Sequence, residues 1–138
     1  MNACIFCKII KKEIPADFIY EDEYVAAFLD IHPINIGHTL VVSKKHFDDF
    51  ISTPDYIAQK LILTIKKITP IILKAMKANA CNISTNNGKE SGQVIEHVHF
   101  HIIPRFSDDN FIHWQGREVA AEELGKAAEK IRKEIQKL

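Results

Sequence analysis

Apolar and polar positions alternate along this chain with two different periods. Five short segments are rich in Val, Ile, Phe and Thr, residues that favour strands because they pack well on a pleated surface. Turn-forming Asp, Asn, Gly and Pro residues separate most of these segments. The pattern predicts five strands, at residues 18–20, 25–29, 39–42, 82–85 and 97–103.

In two longer stretches, apolar residues recur at helical spacing. Thr53-Pro54-Asp55 has the form of a helix start, with Thr as the N-cap and Pro at the first helical position. Apolar residues follow at spacings of three and four from Ile57 to Met76, which predicts a long amphipathic helix facing the core. Pro70 lies inside this pattern and is expected to kink the helix without ending it. The pattern of apolar residues among Ala, Lys and Glu at residues 118–138 predicts a second amphipathic helix.

Hairpin-linked strands with segregated helices predict an α+β fold: an antiparallel five-stranded sheet, one long helix and a C-terminal helix. A length of 138 residues suits a single domain over residues 1–138. We expect its core at about residues 3–106 and a C-terminal tail and helix at residues 107–138.

Composition and charge exclude several classes of function. The formal net charge is zero, so no basic excess would attract nucleic acid or an anionic membrane. Lysines interrupt the most apolar run, residues 61–76, which is also too short to span a bilayer. The first residues, Met1-Asn2-Ala3-Cys4, lack the basic and apolar regions of a signal peptide. We therefore expect a cytoplasmic protein whose three cysteines are thiols or metal ligands.

The strand at residues 97–103 carries the most specific chemical pattern. His97, His99 and His101 occupy alternate positions, so their side chains should share one face while the apolar residues between them fill the other. Pro104 is expected to close the strand. A polar strand face, or a surface that binds metal by accident, would be the plain interpretation. Three imidazoles in strict alternation are costly to bury without partners, so the pattern favours an active site.

Other candidates are ambiguous from the residues alone. Cys4 and Cys7 have the spacing of half a zinc site, but two buried thiols are an equal alternative. The loop at residues 86–93 could surround an anion with backbone N–H groups or could be a plain connection. Asp30 could be a simple turn residue. Each of the remaining histidines is more often ordinary than functional when taken singly, and these are His32, His38 and His46.

Taken together, these segments resemble a known family. Residues 97–103 match the histidine triad (HIT) signature, His-φ-His-φ-His-φ-φ with φ apolar, at every position. The resemblance covers about residues 3–106 and is to the nucleotide-hydrolysing branch. His113-Trp114 is similar to a tail that in relatives reaches toward the partner subunit's site. The upstream segments that carry the resemblance are Cys4–Ile10, Phe28–Ile31, Gly37–Val42 and Asn86–Gln93.

The resemblance implies a HIT-like fold in a homodimer, with one sheet continuous across both subunits. It also implies hydrolysis or transfer at the α-phosphate of a nucleotide, through a covalent nucleotidyl-histidine intermediate. The substrates in relatives are nucleoside phosphoramidates, aminoacyl-adenylates or dinucleoside polyphosphates.

The resemblance also assigns roles to residues. His99 would be the nucleophile, held by the His97 carbonyl, and His101 would donate to a phosphate oxygen with His38 in support. Further donors to the phosphate would be the Gly92–Val94 backbone and Gln93, while Asn86 would hold the loop or contact the α-phosphate. Asp30 would accept the ribose hydroxyls. Phe6 and Ile31 would lie on either side of the base. Relatives usually have Ser or Thr where this chain has Val94, so a hydroxyl is lost and a preference for phosphoramidates is less secure.

Relatives of the bacterial type further imply a structural zinc ion bound by Cys4, Cys7, His46 and His97. Two thiolates and two imidazoles make a closed tetrahedral set with no open position for water.

Two alternative functions remain open. One is a metallohydrolase in which two triad histidines share a catalytic zinc. The other is a nucleotide-binding regulatory module that turns over slowly.

Overall fold

The structure is a computed structural model that describes residues 3–138. Met1 and Asn2, on which the signal-peptide expectation partly rests, lie outside the described residues. Within residues 3–138, no helix is long and apolar enough to cross a membrane. The elements, apart from a single 3₁₀ turn at Lys89–Ser91, are α1 (Ile5–Ile10), β1 (Phe18–Glu21), β2 (Val25–Leu29), β3 (Thr39–Ser43), α2 (Asp55–Met76), β4 (Ala80–Ser84), β5 (His99–Arg105) and α3 (Ala121–Ile135).

The five strands form one antiparallel sheet in the order β1-β2-β3-β5-β4, which confirms the predicted α+β fold. The histidine-bearing strand β5 therefore lies inside the sheet, between β3 and β4. Leu40 of β3 is opposite His101, and Val42 is opposite His99. A strand paired on both sides has its backbone groups satisfied along most of its length, which makes it a rigid support for a site.

The two faces of the sheet bury different sets of side chains. Helix α2 covers one face, where Leu61 and Ile65 pack with Val98, Phe100 and Ile102. Each such fully buried side chain contributes about 1.5–3 kcal/mol of hydrophobic free energy. Helix α1 lies over the opposite face, where its residues pack with β2 and β3 in a second cluster: Phe6, Ile9, Ala26, Phe28, Leu40 and Val42.

Strand β5 differs from its predicted bounds at both ends. It begins at His99, because His97 lies in a bend where its N–H donates to the Ile95 carbonyl (2.9 Å). Pro104 does not close the strand, which continues to Arg105. The pairing with β3 stops at Ile102, so Pro104 faces a partner on the β4 side alone and its missing N–H is tolerated.

The predicted N-cap of the long helix is wrong. Helix α2 begins at Asp55 after an extended Pro54, and no side chain caps it. The Thr53 hydroxyl instead donates to the Asp49 carbonyl (2.6 Å), so the preceding loop takes the group that would have capped the helix. The helix continues through Pro70 as predicted. Helix α3 begins at Ala121 rather than at residue 118, and none of its residues is buried.

Gly37 allows the loop between β2 and β3 to pass close to the end of α2. Its φ is +91°, a left-handed value that favours glycine. A Cβ at this position would lie 2.6 Å from Met76 Cγ and 3.3 Å from Pro104 Cγ. The loop that follows Asp30 is therefore folded tightly against the far end of β5.

Candidate active site

One cavity of about 610 Å³ opens between α1, the β2–β3 loop and the loop at residues 86–95. His99 and His101 lie on its wall, and both are partly buried. Each nucleotide-binding candidate from the sequence except Gln93 also lines this cavity. Those residues are Phe6, Asp30, Ile31, Asn86, Gly92 and Val94.

His99 is held from two directions. Its Nδ1 lies 2.7 Å from the carbonyl oxygen of His97, and a carbonyl can only accept, so Nδ1 carries the proton. In the neutral ring Nε2 is then left with a lone pair. The Thr85 hydroxyl donates to the His99 carbonyl (2.7 Å), and the Phe6 ring packs against the imidazole at 5.1 Å between centroids. The ring is fixed in the tautomer that a nucleophile needs.

His101 is held in the opposite tautomer by a chain of two hydrogen bonds. The backbone N–H of Ile34 donates to His38 Nδ1 (3.1 Å), so the proton of neutral His38 lies on Nε2. That Nε2–H donates to His101 Nδ1 (2.9 Å). The proton of His101 must then lie on its own Nε2, where it is available as a donor. Because His38 is almost fully buried, water does not compete with this chain.

Asp30 is oriented by the loop that follows it. Its Oδ1 accepts the backbone N–H of His32 (2.9 Å), and its Oδ2 lies 3.7 Å from His38 Nε2. The carboxylate is about one-fifth exposed, so it can still accept hydrogen bonds from a ligand.

The loop at residues 86–95 is shaped by left-handed glycines and by one amide. Gly88 and Gly92 have φ values of +87° and +97°. The Gln93 side chain accepts from the Gly88 N–H (2.8 Å) and donates to the carbonyls of Asp48 (2.7 Å) and Ile95 (3.0 Å). These bonds commit the Gln93 amide to holding the loop.

Burial keeps the active-site imidazoles neutral. It lowers the pKa of His101 to about 4, and repulsion from His99 and His38 adds to the effect. Burial also lowers the pKa of His38 against the opposing charge of Asp30. It lowers the pKa of His99 as well, although the bond to the His97 carbonyl opposes this shift. Near pH 7 the site thus presents a lone pair on His99 and an N–H on His101.

The HIT domain family matches residues 11–108 of the chain, most of its length, and this range includes the histidine row and every cavity residue outside α1. The chain belongs to the HIT family. Among curated relatives, it is 40% identical over 126 residues to adenosine 5'-monophosphoramidase HNT1 of Saccharomyces cerevisiae, covering 90% of this chain and 77% of the yeast protein.

Solved HIT structures share the fold. The crystal structure of SMU.412c from Streptococcus mutans superposes with a TM-score of 0.92 at 43% identity, over 98% of this chain and 87% of that one. A zinc-bound HIT protein from Mycobacterium smegmatis gives a TM-score of 0.76 at 34% identity, over 90% and 88% of the two chains.

The chain also carries, beside the candidate active site, a cluster of side chains that could bind a metal ion. Cys4, Cys7, His46 and His97 gather their ligand atoms within 4.8 Å of one another. His97 Nδ1 lies 3.3 Å and 3.6 Å from the two sulfurs, and His46 Nδ1 lies 3.4 Å from Cys7 Sγ. A zinc ion about 2.3 Å from sulfur and about 2.0 Å from nitrogen holds tetrahedral ligands about 3.5 Å apart. The cluster therefore fits zinc.

The protons around this cluster also fit a metal. His97 Nε2–H donates to the Ser43 carbonyl (2.7 Å), and His46 Nε2–H donates to Asp48 (3.0 Å). Both rings therefore direct an Nδ1 lone pair toward the sulfurs, and each donates its other N–H to a carbonyl or carboxylate, as metal-binding histidines usually do. Burial and the neighbouring Cys4 raise the pKa of the Cys7 thiol, so a bound cation would favour the Cys7 thiolate.

A second group, Asp30, His38 and His101, also brings its ligand atoms within 4.8 Å. It does not fit a metal. His38 could bind a cation through Nε2 only if its proton moved to Nδ1, and Nδ1 already accepts the Ile34 N–H. The two N–H groups would then oppose each other across a partly buried contact.

Sequence reasoning missed several groups that orient the site, because most of them are backbone atoms. The carbonyl of Ser43 and the N–H of Ile34 have no side-chain signature. Thr85 sits at the end of a predicted strand and gave no sign of contacting His99. Asp48 has a signal in the sequence, since it lies two residues from a candidate zinc ligand and carboxylates commonly accept the free N–H of such a histidine.

We expect the free energy of unfolding to decrease as the pH falls from about 6.5 toward 4. The folded-state pKa of His101 is about 4, below the 6.5 of an exposed histidine, so between these values the unfolded chain binds more protons. Urea unfolding at several pH values measures this slope. His101→Gln should flatten it, whereas His113→Gln, which removes an exposed imidazole, should not. An equal slope in wild type and His101→Gln would contradict the assignment.

Proposed function

We propose that this protein is a nucleotide hydrolase or transferase that acts at the α-phosphate through a nucleotidyl-His99 intermediate. The observation that carries the proposal is the pair of opposite tautomers on one cavity wall, a lone pair on His99 and an N–H on His101. The candidate substrates are nucleoside phosphoramidates, aminoacyl-adenylates and dinucleoside polyphosphates. The named activity of the yeast relative supports the first of these.

The reaction would take two steps. In the first, His99 Nε2 attacks phosphorus, the P–Nε2 bond forms, and the leaving group departs with its bonding electrons and takes up a proton. The positive charge on the ring is stabilised by the Nδ1–H bond to the His97 carbonyl. In the second step, water attacks phosphorus, the P–Nε2 bond breaks, and a proton and a nucleoside monophosphate are released.

The phosphate would be stabilised by a small set of donors. His101 would supply Nε2–H, and Asn86 would supply its amide or hold the loop. Two of the three backbone N–H groups expected from the sequence are already used, because Gly92 N donates to Lys89 and Gln93 N donates to Gly88. The Val94 N–H has no acceptor within residues 3–138, so it is the best placed to act as an oxyanion donor.

The nucleoside would lie along the apolar side of the cavity. Asp30 would accept the ribose hydroxyls through its partly exposed carboxylate. Phe6 and Ile31 would hold the base between them, with Ile31 (79% exposed) offering far more surface than Phe6 (4% exposed). Val94, with a side chain 90% exposed, supplies no hydroxyl at the phosphate, so recognition there would rest on the backbone.

The metallohydrolase rival is not supported by the proton positions. A zinc shared by His99 and His101 would need a lone pair on the cavity-side nitrogen of each ring, and the bond from His38 leaves a proton on that nitrogen of His101.

The rival regulatory module would bind nucleotide in the same cavity. A single-turnover assay separates it from an enzyme.

We further propose that zinc binds Cys4, Cys7, His46 and His97 as a structural ion, as the zinc-bound mycobacterial relative suggests. With four protein ligands the ion would have no open position for water. It would hold α1 against the sheet and would fix His97, whose carbonyl orients His99. Thiolate ligands persist in a reducing compartment, in keeping with a cytoplasmic location.

His99→Ala and His99→Gly should abolish nucleotide hydrolysis while leaving nucleotide affinity largely unchanged, because only the nucleophile is removed. The loss should be at least about 10³-fold, as for a covalent catalyst that acts as a unit with its neighbours. A quenched single-turnover reaction with adenosine phosphoramidate labelled at phosphorus should trap label on wild-type protein and none on the variants. Turnover near the wild-type rate in either variant would refute the mechanism.

Cys4→Ser should lower the zinc content and the melting temperature more than it lowers turnover, because its thiolate would be a ligand remote from the phosphate. Metal analysis of wild type should give about one zinc per chain. Cys81→Ser is the matched control, since Cys81 is a free thiol on β4 outside the cluster. Zinc loss in His99→Ala together with zinc retention in Cys4→Ser would contradict this assignment.

We propose a homodimer with the sheet continuous across the two subunits. Strand β4 is an edge strand with exposed residues, so a second chain could pair with it. Helix α2 also exposes apolar side chains that a second chain could cover, among them Ile62, Leu63 and Ile71. Sedimentation equilibrium should give about twice the chain mass of 15.8 kDa. Full activity in a species of single-chain mass would contradict the dimer.

A further inference from the structure

The loop at residues 31–36 supplies two backbone donors to the active site. The His32 N–H holds Oδ1 of Asp30, and the Ile34 N–H holds Nδ1 of His38. The first bond orients the carboxylate proposed for the ribose. The second sets the tautomer of His38 and, through it, that of His101. The backbone conformation of this one loop therefore affects both nucleoside binding and the phosphate donor.

Apolar packing does not hold this loop in place. The three isoleucines within it are exposed, at 79% for Ile31, 59% for Ile34 and 69% for Ile36. Asn35 is the one residue between 31 and 36 that is partly buried. Its Nδ2 donates to the Pro104 carbonyl (2.8 Å) and to Asp109 Oδ2 (2.9 Å). These two bonds fasten the middle of the loop to the far end of β5.

Asp109 is a firm anchor for Asn35. Its carboxylate also accepts from Arg105 Nε (3.0 Å) and Nη2 (2.7 Å) and from the Phe106 N–H (2.7 Å). The Arg105 guanidinium, the Phe106 N–H and the Asn35 amide hold the pKa of this carboxyl at about 2, so it is ionised throughout the physiological range. A carboxylate fixed by four donors has little freedom to move.

We propose that Asn35 and Asp109 are positioning residues for the HIT reaction of this chain. They fix the 31–36 loop so that its two N–H groups hold Asp30 and His38 in their working orientations. The inference rests on the proposed function for its catalytic consequence. Its structural consequence, the proton position on His38, does not depend on which reaction the site performs.

The test uses matched pairs of variants in the full-length protein. Asn35→Ala removes both loop bonds, and Ile36→Ala changes the next residue, an exposed one. Asp109→Asn replaces one acceptor oxygen with an N–H₂ group. That group would oppose the Asn35 and Arg105 Nε donors at the position of Oδ2, or the Arg105 Nη2 donor at the position of Oδ1. Asp108→Asn makes the same chemical change one residue earlier, at an exposed carboxylate that bonds to nothing within residues 3–138.

Three quantities are measured for each variant, well below its melting temperature. They are kcat and KM for adenosine phosphoramidate, the affinity for adenosine monophosphate, and the protonation of His38 and His101 by nitrogen-15 NMR of the imidazoles. We expect Asn35→Ala and Asp109→Asn to lower kcat/KM by about 10- to 100-fold, as misplaced groups do, with a lower kcat and weaker nucleotide binding. Their His38 and His101 rings should show mixed tautomers, while both control variants should match wild type.

The positioning role would be overturned if His38 and His101 kept their wild-type tautomers in Asn35→Ala. It would also be overturned if kcat/KM for Asn35→Ala and Asp109→Asn equalled that of the control variants. A fall in melting temperature with no change in kinetics or imidazole protonation would also overturn it, because the bonds would then stabilise only the fold. If His99→Ala retained turnover while Asn35→Ala still mixed the tautomers, the proposed function would fail and the structural part of this inference would stand.

Discussion

Hydrogen bonds from the backbone to single imidazole nitrogens set the proton positions in the candidate active site, and the proposed chemistry depends on them. A neutral histidine has one proton and two nitrogens, so its role depends on which nitrogen is already occupied. The His97 carbonyl occupies Nδ1 of His99, and the Ile34 N–H acts on His101 through His38. Two residues of the same type on the same strand thereby acquire opposite properties.

The sheet makes this arrangement possible. Because β5 is paired with β3 and β4, its backbone is rigid, and alternation directs its apolar residues to α2 and its histidines to the cavity. Burial then keeps the imidazoles neutral near pH 7, so the rings differ in their tautomers rather than in their charges. His97 joins the two halves of the site, since its carbonyl orients His99 while its ring faces the cysteine pair.

The sequence allowed the fold to be predicted well, because strand alternation and helical spacing are local properties. The five strands, the long helix and the division of β5 into two faces follow from residue patterns alone. Predictions failed where one group had two available partners. Thr53 bonds the loop before it rather than the helix after it, and Pro104 stays in the strand because pairing with β3 has already ended.

The same limit applies to the site. The row of histidines predicted where a site would lie, but the bonds that set the tautomer of each ring come from carbonyl and N–H groups that every residue possesses. Gln93 shows the difference: the resemblance assigns it a contact with the phosphate, and only the folded chain shows that its amide bonds to Gly88, Asp48 and Ile95 and holds the loop. Asn35 and Asp109 lie 74 positions apart in sequence, and only the folded chain shows that they meet.

The central claim is the opposite protonation of His99 and His101, and nitrogen-15 NMR of the imidazole rings in the wild-type protein at pH 7 tests it most directly. We predict that His99 carries its proton on Nδ1 and that His38 and His101 carry theirs on Nε2. A His101 ring protonated on Nδ1, or a His99 ring protonated on Nε2, would contradict the account.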